Sequence, residues 1–452
     1  MNTENIQHFI ENRKLGRFQI QTFVLCGLIV LLDGFDTLAI GYVAPFIMKE
    51  WGVTKAALGP VFASGLLGLM IGALIFGPAA DRFGRKPVLV ASTAMFGVFS
   101  LLTIMSSNLS MLILFRFMTG LGLGGAMPNA ISLTSEYAPS RIRATVVMTM
   151  FCGFSLGGAI GGVLAAHLIR EYGWHSVFIV GGTLPLLLVL WLTVSLPESL
   201  RYLVVRGKRD GDVRALLARI DSSVRYDMDT RFAVHEENPS GFPVAQLFKN
   251  GRAVMTLLLW VMFFMSLFEI FFISNWMPTV FNGLGIPLEK SVLITSLFPV
   301  GGTIGTLVLG RFIDTRRPYV IIAAVYVAAA VFVGALGLIS QSSLPLLAAC
   351  SFAAGFCSVG AQVGTNALAA MAYPTMIRST GVGWALGVGR VGSLVSSLIS
   401  GVLISLNMNA FQIFLIGAIP IFIAALAAAC LSAGERRESS RAVVNPGEEV
   451  QA

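Results

Sequence analysis

Asp33, Asp36, Arg116, Glu269 and Arg390 all stand inside stretches that are otherwise apolar. A charge in such surroundings is costly and is usually kept for a task. Asp33 and Asp36 are three residues apart and share one face of a helix. At about 1.5 Å per residue, Asp36 lies ~15 Å from the end of its apolar run and Arg116 ~10 Å from the same end of its own, so the two can meet. Arg390 lies about 18 Å into a third run. A permanently charged guanidinium there requires an anion. That anion is either the carboxylate of a bound substrate, held by two parallel hydrogen bonds, or Glu269 in a structural pair.

Other polar and aromatic groups cluster by helical spacing. Glu269, Phe272 and Trp276 form one stripe, either a ring-stacking wall or plain packing. Gln362 and Asn366 share a face and can bond a ring hydroxyl or make interhelical hydrogen bonds. Gly387 and Gly383 stand one and two turns from Arg390 on its face and leave room for a ring. Trp384 sits ~120° away, so it and Arg390 cannot both point squarely at one ligand. Asp81, Arg85, Glu136 and Asp314 lie at the ends of apolar runs, where ion pairs can latch one state. Glu136 is expected to partner Arg82, Arg85 or Arg141 there.

Composition says what must position these groups. Charged residues are only 12% and hydrophobic residues 56% of the 452-residue chain, and mean hydropathy is +0.80. That excludes a water-soluble fold and a disulfide scaffold and points to an all-α membrane protein. Apolar runs occur at 19–47, 56–80, 87–106, 109–135, 142–169, 175–196, 253–281, 290–312, 318–340, 343–371, 377–405 and 410–432, which predicts twelve spans. The predicted organisation is an N-terminal segment 1–18, a six-helix bundle 19–196, a linker 197–252 with short amphipathic helices, a second six-helix bundle 253–432 and a tail 433–452. With both termini inside, cytoplasmic segments hold 25 Lys and Arg and outside loops hold four. This bias predicts cytoplasmic N and C termini and explains the net charge of +8 without nucleic acid. The five cysteines fall in apolar stretches without metal-ligand spacing. No nucleotide loop or nucleophile constellation stands out, so neither cofactor nor enzymatic activity is expected.

The two halves repeat. GALIFGPAADRFGRKP (72–87) parallels GTLVLGRFIDTRRP (305–318), with Gly72, Gly77 and Asp81 on Gly305, Gly310 and Asp314. The same offset maps Asp36 onto Glu269 and Pro45 onto Pro278. Parallel repeats of this kind place a substrate site at their interface near the bilayer midplane.

The 72–87 turn resembles the signature loop of the major facilitator superfamily. RFMTGLGLGG (116–125) and PESLRYLVVRG (197–207) resemble its span-4 and post-span-6 motifs. GFSLGGAIGG (153–162) resembles the span-5 motif of antiporters, except that Gly158 replaces their proline, which argues for uptake. DGFDTLAIGYVAP (33–45), with SEYAPSRIRAT (135–145) and GWALGVGRVG (383–392), resembles the aromatic acid:proton symporters of bacterial inner membranes. The resemblance implies a twelve-helix major facilitator fold and a single-chain carrier. Its expected partners are small aromatic carboxylates such as 4-hydroxybenzoate or protocatechuate, protons and the lipid bilayer. By analogy with sugar carriers of the superfamily, it assigns Asp36 and Arg116 to a proton-sensitive pair, with Asp33 as a second proton site or ion-pair partner; a static packing pair is the alternative. Carriers of another organic anion or a sugar, and a transporter-derived sensor, are the competing functions.

Overall fold

The computed structural model describes residues 3–444 except 12, 14, 206–209, 222–230, 234–243, 250, 314–316, 340–342, 374–376 and 407. Asp314 therefore lies outside the described residues. Among the described residues, twelve helices are long and apolar enough to cross a membrane. Spans 1 to 6 are Arg17–Trp51, Lys55–Phe83, Arg85–Leu102, Leu109–Tyr137, Ser140–Tyr172 and His175–Ser195. Spans 7 to 12 are Ala253–Gly283, Leu288–Ile313, Pro318–Leu338, Leu344–Ala372, Arg378–Ser405 and Ala410–Val444. All twelve predicted runs are helices. Spans 1, 2, 4, 5, 7, 8 and 12 extend past the apolar stretch, because a helix continues into polar surroundings where the apolar count stops, whereas spans 3, 6 and 9 end before it does.

The chain divides into two compact units, Met1–Asn238 with Ile286–Ser296, and Pro239–Gly285 with Leu297–Ala452. In the first unit, spans 2 and 4 press backbone against backbone. A Cβ on Gly120 would lie 2.0 Å from the Gly65 carbonyl oxygen, and one on Gly68 2.1 Å from that of Phe117. Spans 8 and 10 repeat this in the second unit, where Gly301 meets Phe352 and Gly355 meets Phe298. Without a hydrophobic drive between helices in lipid, such close approach supplies the dispersion contact that holds them.

Within the first unit, the linker and N-terminal segment form a small buried layer. Helices Leu200–Val205 and Asp210–Ile220 put Leu200, Leu203, Val213 and Leu217 into one core with Ile6, Phe9 and Ile10 of a helix at Ile6–Glu11. Strand Thr3–Asn5 pairs in parallel with Arg231–Ala233. The sequence predicted the linker helices; nothing in its periodicity announced that residues 3–11 would dock on them, since that contact joins segments some two hundred residues apart.

Candidate functional site

Asp36 and Arg116 meet in the interior of the first unit. Span 1 carries Asp36, 1% exposed, and span 4 carries Arg116, 3% exposed. Arg116 Nη1 donates to Asp36 Oδ2 at 3.1 Å, and the Ser100 hydroxyl of span 3 donates to Asp36 Oδ1 at 2.6 Å. The second terminal nitrogen of Arg116 donates to Thr103 at 2.9 Å and Thr119 at 3.1 Å. Its guanidinium lies 4.7 Å from the centre of the Phe178 ring. The ion pair expected from depth alone is therefore present. Hydroxyls and an aromatic face surround the terminal nitrogens of this buried cation, while its Nε has no hydrogen-bond partner among the described residues. Asp33, also 1% exposed, accepts from Thr37 at 3.0 Å.

The turn between spans 2 and 3 is built from distant residues. Gly84 has φ +105°, a conformation favoured by glycine, and a Cβ there would meet the Glu198 carboxylate at 2.4 Å. Glu198 accepts from the backbone N–H groups of Arg85 at 2.7 Å and Lys86 at 3.1 Å, so it caps the start of span 3. An anion at that helix end also meets the positive end of the helix dipole. The sequence singled out PESLR as a motif without giving Glu198 this part. Arg85 pairs with Glu136 at 2.9 Å, one of the partners anticipated for Glu136, and the Ser199 hydroxyl donates to the other Glu136 oxygen. Asp81 is 3.9 Å from Arg85 and its side chain is 77% exposed. Arg85 is thus held chiefly by Glu136 and only loosely by Asp81, because the carboxylate from span 4 approaches the guanidinium more closely and out of water.

In the second unit, Glu269 of span 7 is fully buried and accepts from the Ser358 hydroxyl of span 10 at 3.0 Å. It forms no ion pair among the described residues, so the alternative of a structural Arg390–Glu269 pair is not realised. Phe272 and Trp276 are each 1% exposed; Phe272 stacks on Phe268 at 6.2 Å and lies against Gly417 of span 12. In this conformation their stripe is packed rather than open. Gln362 accepts from Ser266, which ties span 10 to span 7, and Asn366 is half-buried one turn on. On span 11, Gly383 and Gly387 face open space, Arg390 is half-buried, and Trp384 stacks on Trp260 at 6.0 Å.

The fold and these motifs define a class, and comparison with known proteins identifies it. The Major Facilitator Superfamily profile matches residues 26–342 and 259–450, and the chain belongs to that family, whose members are transporters. It is a multi-pass membrane protein. Among relatives, the chain is 42% identical to the 4-hydroxybenzoate transporter PcaK of Pseudomonas putida, covering 90% of this chain and 91% of that one. It is 41% identical to the gallate transporter of the same organism, covering 94% of each. It is 35% identical to the benzoate transport protein of Acinetobacter baylyi, covering 92% and 90%. In fold it is similar to the partially occluded inward-open xylose transporter XylE of Escherichia coli, with TM-score 0.71, 18% identity and 91% and 97% coverage.

Proposed function

We propose that the protein takes up small aromatic carboxylates with protons, by alternating access, across a bacterial inner membrane. The observation that carries this is identity of 42% over nine-tenths of the chain to a 4-hydroxybenzoate carrier, with gallate and benzoate carriers beside it. The termini face the cytoplasm, in accord with the placement of Lys and Arg. Arg390 binds the substrate carboxylate. The open face at Gly383 and Gly387 admits the ring, and Gln362 and Asn366 are the candidate partners of ring hydroxyls. Asp36 carries a coupled proton: its protonation dissolves the pair with Arg116 and favours a different packing of spans 1 and 4. No bond is made or broken in the substrate.

Gradient-driven uptake of labelled 4-hydroxybenzoate into proteoliposomes tests this. Accumulation that collapses with a protonophore, competes with gallate and benzoate, and ignores xylose is expected. Accumulation indifferent to the proton gradient, or preference for a sugar, overturns it.

A further inference from the structure

The two halves differ at one point that bears on how many protons move. Asp36 and Glu269 occupy equivalent places in spans 1 and 7, with Pro45 and Pro278 at the same offset. Spans 4 and 10 are both 29-residue helices, Leu109–Tyr137 and Leu344–Ala372. Laid end to end, Arg116 of span 4 falls opposite Ser351 of span 10. The second half thus keeps the buried carboxyl and has no arginine where the first half has one.

The surroundings of the two carboxyls follow. Asp36 has a guanidinium and a hydroxyl on its oxygens. Glu269 is 0% exposed, receives one hydroxyl hydrogen bond from Ser358 on Oε1, and has no hydrogen-bond partner on Oε2. Tyr326 of span 9 and Cys357 of span 10 feel its charge, and both are ordinarily neutral in the physiological range. Span 11 brings Arg390, which does not pair with it, and no cation from spans 9 to 12 approaches it among the described residues. An ionised carboxylate sealed away with one hydroxyl and no countercharge is strongly disfavoured; the acid form, whose second oxygen is a hydroxyl, suits this site.

We propose that Glu269 binds a second transported proton, in addition to the one assigned to Asp36. The proton adds to the ionised Glu269 carboxylate from the outer water and leaves to the inner water as the unit opens each way. This rests on the reading of the protein as a proton-coupled carrier. One monoanionic substrate then crosses with two protons, and each cycle moves one net positive charge. A single proton would make the cycle electroneutral.

The test is made on purified protein in liposomes with the membrane potential held at zero. At equilibrium each coupled proton contributes about tenfold accumulation per pH unit. Wild type is expected to reach about a hundredfold per pH unit and Glu269→Gln about tenfold, with substrate exchange intact. An inside-negative potassium diffusion potential should drive uptake in wild type and leave Glu269→Gln unmoved. Glu269→Asp should retain the wild-type ratio. Infrared difference spectra should show a protonated carboxyl C=O band that Glu269→Gln removes and Asp36→Asn retains. A wild-type ratio of about tenfold per pH unit, or a ratio or carboxyl band unchanged in Glu269→Gln, overturns the proposal. The wild-type measurement needs no variant to fold. Absence of any proton-driven accumulation in wild type would instead strike the proposed function itself.

Discussion

At the scale of single residues, the buried ion pair of Asp36 and Arg116 is held on both sides. The terminal nitrogens of Arg116 donate to Asp36, Thr103 and Thr119. Removing it strands Asp36 out of water, so Arg116→Ala should destabilise the folded protein by about 3–5 kcal/mol, read as a fall in melting temperature in detergent. Asp36→Asn imitates the protonated acid; it should bind and exchange substrate while equilibrium accumulation falls about tenfold per pH unit. Loss of both activities in the folded variant would favour a static pair. Arg390→Ala should weaken binding of 4-hydroxybenzoate by roughly a hundredfold or more in a titration, since an anion entering low dielectric loses its only proposed cation. Arg390→Lys should recover little, because a point charge does not reproduce the planar fork. Unchanged affinity in Arg390→Ala would remove it from the site.

At the scale of elements, the start of span 3 depends on a residue that follows span 6. Glu198→Gln keeps the acceptor but removes the charge that faces the helix dipole, and should cost about 0.3–1 kcal/mol. Gly84→Ala should cost more, since φ +105° is strained for alanine and its Cβ would displace the Glu198 carboxylate. Thermal unfolding of the two variants in one detergent ranks them. The same reasoning separates Glu136 from Asp81. Glu136→Gln removes the closer, shielded partner of Arg85 and should lower the melting temperature. Asp81→Asn removes an exposed carboxylate 3.9 Å away and should be nearly neutral to stability. Equal losses would restore Asp81 as an equal member of the latch.

At the scale of the whole molecule, orientation has its own check. Glu11 and Lys55 are both exposed, and the proposed topology puts Glu11 inside and Lys55 outside. In a background with the native cysteines replaced, an impermeant maleimide should label Lys55→Cys in intact cells and Glu11→Cys only after the membrane is opened. The reverse pattern would invert the topology. How much of this protein was legible in its sequence varies with the range of the interaction. Twelve spans, the repeat of two halves and the Asp36–Arg116 encounter were legible, because hydropathy, glycine spacing and depth along a helix are local properties of the chain. The missing counterpart of Arg116 was also written there, as Ser351, once spans 4 and 10 were laid side by side. Only tertiary structure decided that Ser100, Thr103, Thr119 and Phe178 would complete the first pair and that Glu198 would cap span 3. It likewise decided that Glu136 rather than Asp81 would hold Arg85 closely, and that Glu269 would lie sealed with one serine. Each of those depends on the rotation of a helix about its axis and on which neighbour faces it. Close glycine packing between helices settles that rotation, and the one-dimensional pattern of apolar residues leaves it open.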